Sequence, residues 1–182
     1  MQAPSNSSGL ELVGEYAGKF RSWRWKNVVF FGWATSICTP GAEAYATLMD
    51  SLSKSTRPGK LSAIHLVAKN LTLPELEPRA IVTEVLRVHG EQLACVGAVV
   101  EGTGFWLSAM RSFTTGLLAL SARPFEMRMH GELDELLAWF PQAHKRRTGV
   151  ELGSAELRQH LETARAWCQH GAAAHDPRDP AP

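Results

Sequence analysis

The chain has 182 residues, a formal net charge of +1, 45% hydrophobic residues and 20% charged residues. That length fits one domain with tails and a substantial core, and near-neutral charge excludes a general field for steering nucleic acid or anionic membranes. The three cysteines, Cys38, Cys95 and Cys168, lie far apart without CxxC or Cys/His zinc spacing, which argues against a disulfide framework or zinc module and for a reducing cytoplasm.

The first nine residues, MQAPSNSSG, have neither a basic n-region nor an apolar h-region, so they read as a polar tail rather than a secretory signal. LELVGEY (10–16) and FRSWRW (20–25) read as strands, the second with Trp23 and Trp25 on one face and Arg24 and Lys26 on the other. VVFFGWA (28–34) is a continuous β-rich apolar run, as expected of a strand covered on both faces and too short to span a membrane. Thr39-Pro40 predicts a helix start with Thr39 as N-cap, and Ala42, Tyr45, Met49 and Leu52 recur at helical spacing until RPG (57–59).

LSAIHLVA (61–68) is the next predicted strand, and Ile81, Val85 and Val88 mark the next helix. LACVGAVV (93–100) predicts a strand, GTG (102–104) a tight turn and FWLSAMRSFTTGLLAL (105–120) a helix. FEMRMH (125–130) predicts the last strand, and ELDELLAWF (132–140) a short helix with an acidic first turn that suits the helix dipole. A basic joint, AHKRRTG (143–149), leads to a final helix capped by Ser154 that carries Leu157, Leu161, Ala164 and Cys168 on one side, and residues 171–182 have tail composition. Strands alternating with helices imply an α/β fold with a largely parallel sheet and helices packed on it, because parallel neighbours need crossovers.

Little in the chain reads as chemistry. EGTGFW (101–106) has two glycines between strand and helix, but Leu107 stands where a dinucleotide fingerprint wants glycine, so it reads as a turn. His89 and Glu91 form an H-x-E without the P-C-x-x-C of a deaminase zinc site, and His65 and His130 read as packing or surface residues. HKRR (144–147) reads as a solvated joint and WRWK (23–26) as core tryptophans beside surface cations. The helix at 105–120 stands apart: Phe105, Trp106, Met110, Phe113 and Leu117 leave Arg111 as its sole charge, which marks these residues as interface or ligand-facing. In KNLTLPEL, Thr72 and Glu75 match a capping box.

The span from about 10 to 140 resembles the STAS-like superfamily, the fold of bacterial anti-sigma-factor antagonists and related stand-alone STAS/SEC14-type domains. The resemblance lies in VVFFGWAT entering a helix at TPGAEAY, in AIHLVAKN, in LACVGAVV before an apolar helix, and in FEMRMHGELDELLAWF. It implies a STAS-like, mostly parallel mixed sheet over 10–140; the basic joint and appended C-terminal helix of 141–170 and the tails 1–9 and 171–182 lie outside the resemblance. It implies a non-enzymatic, cytoplasmic bacterial regulatory module that signals through protein–protein contact with a kinase or other signalling protein, without cofactor, metal, nucleic acid or membrane span, and with a homodimer in reach. A Ser or Thr after the central strand is the phospho-switch in such antagonists, which carries onto Thr72 as a switch beside its reading as a cap. The alternative that the resemblance offers is a small-molecule or lipid-binding domain, with the apolar helix beside its ligand.

Overall fold

The computed structural model describes residues 9–68, 74–100 and 125–174, together with positions 108, 112, 115 and 116. The described residues form an α/β fold: one six-stranded mixed sheet with helices on both faces. In chain order the elements are β1 (Glu11–Tyr16), β2 (Phe20–Trp25), β3 (Val28–Trp33), α1 (Thr39–Ser55), β4 (Leu61–Val67) and α2 (Leu76–His89). They continue with β5 (Leu93–Val100), β6 (Glu126–His130), α3 (Leu133–Thr148) and α4 (Ser154–Ala174). The sheet order is β1-β2-β3-β4-β5-β6, with β1 to β3 antiparallel and β3 to β6 parallel.

Two tight turns build the antiparallel edge. Ala17 and Gly18 both take positive φ, and the Lys19 amide closes back on the Tyr16 carbonyl at 2.8 Å. From β3 onward each strand needs a crossover to reach its parallel neighbour. Every residue of β3 and β5 is buried, because both faces of the central strands are covered.

The two faces have separate cores. On one, Phe31, Trp33, Val29 and Val96 pack against Ala42, Tyr45, Met49 and Leu52 of α1 and against Val82, Val85 and Leu86 of α2. On the other, Trp23, Trp25, Phe30, Ile64 and Val99 meet Leu136, Phe140 and Ala143 of α3 and Leu157, Leu161, Ala164 and Cys168 of α4. The final helix therefore closes half of the core. It lies so near β3 that a Cβ on Gly32 would stand 2.9 Å from Cys168 Sγ and 3.0 Å from the Trp23 ring.

The helix boundaries depart from expectation in three places. Cys38, not Thr39, holds the N-cap position of α1, and the Thr39 hydroxyl instead donates to Glu77 Oε2 at 2.9 Å, tying α1 to α2. The stretch expected as a basic joint is the last turns of α3: the helix continues through Pro141 and ends at Gly149, whose positive φ lets its N–H reach the Lys145 carbonyl. Its buried stripe explains why, since Leu133, Leu136, Phe140, Ala143 and His144 share one face and hold the helix together across the proline. Ser154 is the first residue inside α4, where the Gly153 carbonyl accepts the first helical bond from Leu157, and α4 runs on to Ala174.

Candidate functional site

Helices α1 and α2 both begin at the carboxyl ends of parallel strands β3 and β4, the edge at which open α/β sheets bind their ligands. Between the two helix starts lies an open groove of about 320 Å³, lined by Ser36, Ile37, Cys38, Thr39, Pro40, Pro74, Glu75 and Pro78. Three prolines fix its walls, because each has a locked φ and offers no N–H. The Arg79 guanidinium donates to the Pro74 carbonyl and holds that lip to the first turn of α2. Beside the groove Leu76 is 83% exposed, the largest exposure among the large hydrophobic residues described, with exposed Glu75 and Glu77 on either side.

Two polar clusters lie elsewhere, inside the protein. On the α1 face His65 is ringed by Phe31 at 4.9 Å, Tyr45 at 5.7 Å and Trp33 at 6.5 Å between ring centroids, and its Nδ1 accepts the Trp33 indole N–H at 3.3 Å. Burial lowers its pKa to about 4, so the imidazole is neutral at pH 7. On the α3 face Ser62 Oγ lies 2.8 Å from His144 Nδ1 and 3.3 Å from Cys95 Sγ, all three side chains without exposed surface. Burial, and then the nearby Lys26 charge, lower the His144 pKa to about 4, and burial pushes the Cys95 thiol up to about 11. A hydroxyl against an imidazole is the beginning of a nucleophile–base pair. This pair is closed in the core, where substrate does not reach it, and it works as a polar pin between sheet and helix.

The remaining histidines read from sequence do not join these clusters. His89 is the last residue of α2, as expected of a helix terminus. His130 ends β6, 3.9 Å from Glu135 Oε2 and 5.5 Å from the Trp139 ring. Among the described residues no group of three or more His, Cys, Asp or Glu could hold a metal ion, and no helix is long and apolar enough to cross a membrane.

Thr72, Phe105, Trp106, Met110, Phe113 and Leu117 lie outside the described residues. Their neighbours are informative. Glu75, which a capping box would place in the first turn, is itself the N-cap residue of α2 and makes no side-chain capping bond. Ser108, Ser112, Thr115 and Gly116, spaced at i, i+4, i+7 and i+8, are helical and exposed.

Sequence reasoning missed Leu76 and His144. An isolated leucine ahead of a helical stripe carries no outward signal of exposure. His144 was legible in principle, because it continues the Leu136–Phe140 spacing by four. No family model, curated protein or solved structure matches this chain.

Proposed function

We propose that this chain is a non-enzymatic regulatory module of the bacterial STAS-like kind, acting by contact with another protein at the edge where α1 and α2 begin. The observation that carries the reading is Leu76, which stands 83% exposed between two glutamates beside a proline-walled groove. A large apolar side chain held outward on a rigid helix start makes a suitable anchor for a partner, since hot spots are single side chains that become fully desolvated. The flanking acids would keep such a surface soluble while free and select a partner that brings an apolar pocket and cations.

The sheet adds support. Strands β3, β4, β5 and β6 stand in sequence order and parallel, which is what the STAS-like reading requires. The test begins with affinity purification of the tagged protein from its host and identification of what co-purifies. Hydrogen exchange of the purified pair should then show protection gained at 74–83 and 36–43. Protection confined to any other face would contradict the reading.

A further inference from the structure

The opposite end of the sheet, where the parallel strands begin, carries a concentration of cations that the net charge of +1 conceals. Lys26 precedes β3, Arg57 and Lys60 precede β4, and Arg147 closes α3. Hydrogen bonds join them into one surface. Lys60 Nζ donates to the carbonyls of Arg147 at 3.1 Å and Thr148 at 3.3 Å, and the Lys60 backbone amide bonds the Arg57 carbonyl at 3.2 Å. Asn27 Nδ2 bonds the Lys60 carbonyl at 2.7 Å, Arg24 Nε bonds the Lys26 carbonyl at 3.2 Å, and Lys26 Nζ reaches the Glu151 carbonyl at 3.4 Å.

Part of this charge serves the helix. Lys60 satisfies carbonyls at the C-terminus of α3, where cations are favoured by the dipole. Arg147 also lies in the last turn of that helix, but its side chain and that of Arg57 are exposed, and among the described residues neither is in an ion pair. Nor do Arg24, Lys26 or Lys60 pair with a carboxylate there, whereas the adjacent Lys145 and Arg146 are neutralised by Glu151 and Glu126.

We infer that this basic end is a second docking surface, and that its occupant is an acidic segment of a partner protein. Guanidinium forks suit carboxylates in bidentate pairs. The indole nearest these cations, Trp25, is buried with Lys26 Nζ 4.6 Å above its ring, so among the described residues no aromatic there is offered for stacking on bases or for insertion into lipid. With a net charge of +1 the chain also lacks the long-range field that an extended phosphate array calls for, so this small group of cations favours a short carboxylate segment of a protein.

The experiment follows anisotropy of a fluorescein-labelled oligo-glutamate peptide titrated with the full chain at 50 and 300 mM salt. Wild type should bind with a steep salt dependence. Arg57→Ser with Arg147→Ser should weaken binding by tenfold or more without changing the melt, while Lys19→Ser with Lys54→Ser should leave it unchanged. Equal loss in both double variants would trace binding to net charge and overturn the proposal. So would tighter binding of duplex DNA or phosphatidylserine vesicles than of the peptide. Concentration-dependent self-association that the Arg57/Arg147 pair abolishes would also overturn it, by making a second copy the occupant.

Discussion

Ser62 and His144, 82 positions apart in the chain, meet at 2.8 Å in the core between β4 and α3. Ser62 belongs to a row of direct register partners that crosses the sheet, Trp25–Val28–Ser62–Cys95–Glu126. Its hydroxyl is the point at which α3 is pinned to that row, with the Cys95 thiol on its other side. Because the His144 Nε2 has no hydrogen-bond partner among the described residues, the Nδ1 bond is the imidazole's one polar contact there.

Removing one partner of a buried pair costs more than removing both. Ser62→Ala should destabilise the protein by about 2 kcal/mol in denaturant unfolding. Ser62→Ala combined with His144→Phe should cost less than the sum of the single changes, and strict additivity would show that the two side chains are uncoupled.

His65 and His144 also set the response to acid. Both bind a proton near pH 4 in the folded chain and near 6.5 when unfolded, so the unfolded state binds more protons between those values. Their contribution is full above pH 6.5 and is withdrawn as pH falls toward 4, each by up to about 3 kcal/mol. Urea midpoints should fall steeply from pH 7 to 4.5 in wild type, and less steeply in His65→Phe. Parallel pH profiles would contradict this assignment.

Helix α4 should behave as core rather than appendage. Leu157, Leu161 and Ala164 are fully buried, and each leucine contributes roughly 1.5–3 kcal/mol by its burial. A chain ending at Gly153 should lose its cooperative melt, and Gly32→Ala should cost about 1–3 kcal/mol, since the new methyl meets Cys168, Trp23 and Trp167 in a packed layer. An unchanged melt in the truncated chain would make the helix an addition after all.

The sheet was legible because each strand reads as an apolar or alternating run between turn signals, from the Trp23/Trp25 alternation to the all-buried 93–100. Helix α3 runs past the expected 132–140 because the tertiary burial of Phe140, Ala143 and His144 carries it through Pro141, where a proline ordinarily ends a helix, and no local pattern signals that burial. The Ser62–His144 bond and the groove depend on which elements cross, which local pattern does not encode. The glutamate expected to complete a capping box shows the same limit: Thr72 and Glu75 have the spacing, and α2 starts one residue beyond it.

The most direct test of the proposed function is calorimetric titration of the co-purifying partner into wild type and Leu76→Arg. Because Leu76 is exposed, the substitution should leave the melt within a degree or two, and loss of an anchor worth 2 kcal/mol or more should weaken the partner's affinity at least about thirtyfold. Equal affinities for both forms, with both melts intact, would contradict the assignment of this edge as the contact surface.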